Sequence, residues 1–91
     1  MDIEDWRSKI DEVDLEILRL LKKRAQFTIE IGNIKKQRWL PIHSPDREKL
    51  IITRIVNENS GPLSSDGVRR IFERIIDEFR KLEKDSLKNN S

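Results

Sequence analysis

The sequence predicts an all-α fold: three helices per chain, with a long first helix shared in an intertwined homodimer. Three observations carry this. Apolar residues recur every three or four positions in three separate runs. Charged residues make up 40% of the chain and aromatics 5%, which suits helical surfaces and argues against a β-sandwich. The first run is too long for the globule that 91 residues can build, and such a length makes one domain at most. Residues 1–91 are read as that domain, with about 85–91 as a frayed polar tail.

The first helix is predicted from about Asp2 to about Arg38. Asp2 suits an N-cap, and Glu4 and Asp5 favour the positive end of the helix dipole. Lys35, Lys36 and Arg38 sit at the negative end, and Pro41 closes the segment. Gly32 is its weak point, costing roughly 1 kcal/mol against Ala. About 36 helical residues span ~54 Å. A compact domain of this length has a radius of gyration of only ~12 Å. The helix must therefore break near Gly32 or be covered by a second chain. The apolar stripe persists on both sides of Gly32, which favours the second chain.

The second helix is predicted to start at Ser44-Pro45-Asp46, with Ser44 as N-cap and Pro45 in the first turn. It stops near Asn59-Ser60-Gly61-Pro62. The third starts near Ser64 or Ser65 and carries Val68, Ile71, Phe72, Ile75, Ile76, Phe79 and Leu82 on one stripe, with Leu87 trailing. Lys88-Asn89-Asn90-Ser91 reads as polar tail.

Bulk properties exclude several functions. The chain has no cysteine and one histidine, His43, so neither a disulfide nor a transition-metal cluster is expected. The net charge of +2 is nearly balanced, which gives nucleic acid little support as a partner. No apolar run approaches the ~20 residues that span a membrane. The acidic start Met1-Asp2-Ile3-Glu4-Asp5 lacks the apolar core of a signal peptide. A cytoplasmic protein is expected.

The stripe of the first helix holds the chemistry. It runs through Ile3, Trp6, Ile10, Val13, Ile17, Leu20 and Leu21, then through Arg24, Thr28, Ile31 and Lys35. Two cations thus occupy inward positions, where an unpaired charge is costly. Arg24 and Lys35 share a face, ~16 Å apart along the axis. Either they snorkel to solvent at the stripe's edge, or they hold a small anion between them. Arg7 lies ~25 Å from Arg24 and can meet such a ligand only across an antiparallel partner helix. Glu48 shares a face with Ile52 and Ile55, next to Arg47. Glu83 follows Phe72, Ile76 and Phe79 on the third stripe. A carboxyl group on a dry face keeps its proton unless a cation pairs with it.

In order and spacing these pieces resemble the all-helical (type II) chorismate mutase family, from about Trp6 to about Glu83. The matching pieces are Arg7-Ser8-Lys9-Ile10-Asp11 with Val13-Asp14, then Leu20-Leu21 with Arg24. Glu30-Ile31-Gly32 with Lys35 follows, then Pro41-Ile42 leading into Pro45-Asp46-Arg47-Glu48-Lys49. Ile71-Phe72 with Ile75-Ile76 completes the match.

The resemblance implies a three-helix chain in an interlocked dimer, rearranging chorismate to prephenate without cofactor or metal. It implies that Arg7 from the partner chain and Arg24 bind the two substrate carboxylates. Lys35 would contact a carboxylate and the ether oxygen, Glu48 the ring hydroxyl, and Arg47 would line the site. Ile31 and Ile76 would form its apolar wall. Glu83 falls where many members donate from Gln to the ether oxygen. Ser44 stands where Asp or Asn is usual, and Phe79 where a small Ser is frequent. The implied partners are the dianionic substrate, a second copy and, in some relatives, another enzyme of the aromatic pathway. Two alternatives remain open: a non-catalytic helical dimerisation module, with Arg24, Lys35 and Glu83 as intersubunit salt bridges, and an isochorismate-processing relative.

Overall fold

The computed structural model describes residues 1–89. It contains three helices: α1 (Ile3–Arg38), α2 (Pro45–Glu58) and α3 (Ser65–Asn89). Each starts where the sequence places a cap. Asp2 accepts from the Asp5 amide at 3.0 Å, and Asp5 accepts from the Asp2 amide at 3.0 Å. This reciprocal pair satisfies two backbone donors at the start of α1. Ser64 Oγ accepts from the Gly67 amide at 3.0 Å and caps α3.

Ser44 is the exception. It occupies the N-cap position of α2, but its side chain makes no capping hydrogen bond. Pro45 already removes one orphan N–H from the first turn, and the Ser44 side chain lines a cavity instead.

α1 does not break at Gly32; it runs unbroken for 36 residues. It ends at Trp39, which takes a left-handed conformation with φ 57°. There the Leu40 amide donates to the Lys35 carbonyl at 2.8 Å, closing the last turn. The molecule is correspondingly elongated, 54 × 27 × 14 Å, with a radius of gyration of 16.3 Å. A compact chain of this length would have ~12 Å. α3 packs against both α1 and α2. Its partner region on α1 lies C-terminal to Leu20, since residues 1–20 are exposed throughout. Ile3, Trp6, Ile10, Val13, Ile17 and Leu20 stand in the open on that half.

The core is small. Ile51, Val68 and Ile76 are its buried apolar residues, and Glu83 is buried among them at 8% exposure. Gly32 is buried where α1 meets α3. A Cβ placed there would stand 3.1 Å from Glu83 Cγ and 3.9 Å from Leu87 Cδ2. Gly32 is therefore more than a weak helical residue: its missing side chain lets the two helices close up beside Glu83.

The same contact reaches the end of α3. Residues 85–89 continue α3, because Leu87 extends the apolar spacing of Ile76 and Glu83 and comes to rest against α1 at Gly32. Asn90 and Ser91 lie outside the described residues.

Replacing Gly32 by Val forces a branched side chain into this contact. Urea unfolding of Gly32→Val should show a loss of roughly 1–3 kcal/mol, the usual cost of overpacking. A variant as stable as the parent would mean that the helices separate there freely.

Candidate active site

Between α1, α2 and α3 lies a cavity of ≈ 260 Å³. α1 contributes Arg24, Phe27, Thr28, Ile31 and Lys35; α2 and the segment before it contribute Ile42, Ser44, Arg47, Glu48 and Ile51. Ile76, Phe79, Arg80 and Glu83 come from α3. Every residue singled out in the sequence lines this one cavity except Arg7. Arg7 sits on the uncovered half of α1 and pairs with Glu4 at 2.8 Å in the open. The cavity of its own chain does not include it, as the spacing along the helix requires.

Two acids face the cavity, and each has a cation. Lys35 Nζ stands 3.0 Å from Glu83 Oε1, with both side chains largely covered. The lysine directs a hydrogen bond elsewhere, to the Ile42 carbonyl at 2.9 Å, which ties the α1–α2 connection to α1. Glu83 Oε1 is thereby buried in ion-pair range of Lys35 without a directed hydrogen bond. The dry face expected around Glu83 thus holds a cation. One carboxyl oxygen keeps unused hydrogen-bonding capacity in the cavity wall, an arrangement uncommon for a buried polar atom.

Glu48 is held differently. Arg80 donates from Nε to one carboxylate oxygen at 3.0 Å and from Nη2 to the other at 2.8 Å. This is the two-point match of guanidinium to carboxylate. Arg80 Nη2 also donates to Asp77 at 3.3 Å, and His43 Nε2 lies 3.7 Å from Glu48 Oε1. The Arg80 hydrogen bonds, above all, hold the Glu48 carboxyl below its ordinary range, with His43 adding a smaller pull. Arg80 escaped the sequence reading. Its spacing from Ile76 and Glu83 put it on the edge of the third stripe, but its partner is 32 residues away.

Arg24 and Arg47 complete the charges. Among the described residues neither has an acidic partner. The Arg24 guanidinium lies over the Phe79 ring, 4.3 Å from its centroid, a favourable cation–π placement. Burial first, and then the neighbouring Arg47 charge, lower the pKa of Arg24. Thr28, the polar residue between Arg24 and Lys35 on the stripe, turns its hydroxyl back to the Arg24 carbonyl at 2.9 Å. The cavity thus presents two unmatched positive charges, two matched ion pairs and an apolar wall that includes Ile31 and Ile76.

A depressed Glu48 contributes stability at neutral pH that is lost as pH falls through its folded-state value. The stability advantage of the parent over Arg80→Met should therefore be present near pH 7. It should shrink once the pH drops below the ordinary glutamate value of 4.5. Paired urea titrations between neutral and acidic pH check this, and a pH-independent difference contradicts it.

Comparison with known proteins places this geometry. The type II chorismate mutase family model matches residues 6–84. A chorismate mutase from Methanocaldococcus jannaschii is 36% identical, over 89% of this chain and 83% of that one. A bifunctional chorismate mutase/prephenate dehydratase from Aquifex aeolicus is 38% identical over 91% of this chain, which spans 24% of that protein's length. The fold of Thermus thermophilus chorismate mutase superposes with a TM-score of 0.88 at 34% identity, covering 90% of this chain and 93% of that one. Helicobacter pylori chorismate mutase, solved with prephenate, gives 0.87 at 29% identity, over 94% and 93% of the two chains. The chain belongs to the type II chorismate mutase family.

Proposed function

We propose that this chain is a chorismate mutase, converting chorismate to prephenate in the cytoplasm as a homodimer and without a cofactor. The carrying observation is the charge pattern of the cavity. Arg24 and Arg47 face it without acidic partners, and the Lys35–Glu83 pair stands in the same wall. That pattern suits a compact dianion with an acceptor oxygen between its charges. Family membership and the neighbour solved with prephenate support the same reading. A bare dimerisation module has no use for unmatched cations in a cavity.

The rearrangement is unimolecular. One carbon–oxygen bond breaks as one carbon–carbon bond forms, and no atom is gained or lost. What the protein supplies is conformation and charge. Arg24 takes one carboxylate, and Arg7 of the second copy takes the other. Arg47 adds positive charge to the wall, and Phe79 keeps the Arg24 guanidinium in place. Fixing both carboxylates selects the folded conformer in which the ends meet, which removes much of the entropic barrier. Glu48 accepts from the ring hydroxyl, and Ser44 stands beside it at the start of α2. Ile31 and Ile76 shape the apolar side of the pocket.

Negative charge builds on the ether oxygen as its bond to carbon lengthens. Lys35 and Glu83 are the donors for that charge, aimed at it in advance in a water-poor site. Glu83 donates only when it carries a proton.

The homodimer rests on the uncovered half of α1, whose exposed apolar residues run from Ile3 to Leu20 and exceed what a lone globule leaves open. The bifunctional relative carries a dehydratase in the same chain, so another enzyme of the aromatic pathway is a natural partner.

Arg24→Ala and Lys35→Ala should each lower chorismate turnover by roughly 100-fold or more, while light scattering still reports a folded dimer. Full activity in both variants would sink the site assignment. Glu83→Gln, whose amide is a permanent donor, should retain turnover; a loss of roughly 100-fold would show that Glu83 is not a donor to the ether oxygen.

A further inference from the structure

We propose that Arg80 is a positioning residue acting through Glu48: it fixes the Glu48 carboxylate in the cavity wall and screens its charge from an anionic substrate. This rests on the chorismate mutase reading above.

A carboxylate is an awkward group in this cavity. It is wanted as an acceptor for a substrate hydroxyl, yet its charge repels the substrate's two carboxylates. Glu48 also has three rotatable side-chain bonds and reaches the cavity from the first turn of α2, where its backbone alone does not fix the carboxylate. Arg80 answers both difficulties. Its two donated hydrogen bonds at 3.0 and 2.8 Å fix the plane of the carboxylate as well as its position. Its charge neutralises the carboxylate at contact distance, while the carboxylate's remaining acceptor sites still face the cavity.

Arg80 is itself anchored. Asp77, one turn earlier on α3, accepts from Nη2 at 3.3 Å. A guanidinium engaged by two acids is not the group left over for the substrate, in contrast with Arg24 and Arg47. Lysine could supply the charge but not the planar fork. His43, 3.7 Å from Glu48 Oε1 and largely exposed, approaches as a weaker second contact.

A double-mutant cycle separates action through Glu48 from action on the substrate or the fold. Steady-state chorismate turnover would be measured for the parent, Arg80→Met, Arg80→Lys, Glu48→Gln and the Arg80→Met/Glu48→Gln double variant. Circular dichroism would confirm that each is helical. Arg80→Met should lower kcat/KM about tenfold, the scale of one charge-assisted hydrogen bond, with most of the change in KM. Arg80→Lys should recover part of the loss. In the Glu48→Gln background, where there is no charge to screen, removing Arg80 should change kcat/KM by less than about twofold.

An equal loss in both backgrounds overturns the proposal, since Arg80 would then act on the substrate or the fold directly. A parental KM in Arg80→Met overturns it as well. Absence of turnover in every chain, the parent included, would overturn the chorismate mutase reading itself and leave Arg80 no reaction to serve.

Discussion

At Gly32, α1 has no side chain to hold α3 away, and the rest of the cavity depends on that close approach. A Cβ there would crowd Glu83 Cγ at 3.1 Å. Without it, a carboxyl group on α3 reaches an ammonium on α1, Lys35 to Glu83 at 3.0 Å, inside a contact that excludes most water. Lys35 in turn donates to the Ile42 carbonyl, which fixes the segment leading into α2. Glu48 and Arg47 then fall on the facing wall. A residue that costs helix stability in α1 therefore sets the distance between the two helices that carry most of the cavity.

The charges of the cavity obey one rule: acids are matched and two arginines are not. Burying an unpaired cation is unfavourable, and the lowered pKa of Arg24 registers that cost. Phe79 offsets part of it through its ring face, and Arg47 avoids it by being exposed. Pairing both arginines within the chain would make the cavity neutral and the empty protein more stable. It would also remove the reason for a dianion to enter. The site accepts this instability because a rigid arrangement of unmatched charge is what selects one conformer of a flexible substrate.

What could be read from the sequence was local. Asp2, Pro45 and Ser64 mark the helix starts because capping and proline geometry act within one turn. Arg24, Lys35 and Glu83 stood out as polar residues in the wrong phase of an apolar stripe, and the structure gathers them around one cavity. The unread part was relational. Nothing near Arg80 in sequence reveals that a carboxylate on another helix meets it. Gly32 read as a defect because its value lies in what approaches it. Ser44 was read as a cap because its position is right, but its side chain makes no capping hydrogen bond and the residue lines the cavity. Leu87 read only as trailing the third stripe, because the contact that holds it is with α1 at Gly32.

The length of α1 joins the stability of this chain to its chemistry. The first twenty residues of the chain are exposed, and the apolar side chains along them are open. Such a surface calls for a cover. Arg7 stands on the same half, next to Trp6 and beyond reach of its own cavity. In the proposed dimer, the antiparallel second copy would cover the apolar stripe and carry its Arg7 toward the cavity as a further cation for the second carboxylate. Shortening α1 to fit its own globule would remove the exposed stripe and that cation together. The same extension would thus bury what one chain cannot bury and complete what one chain cannot complete.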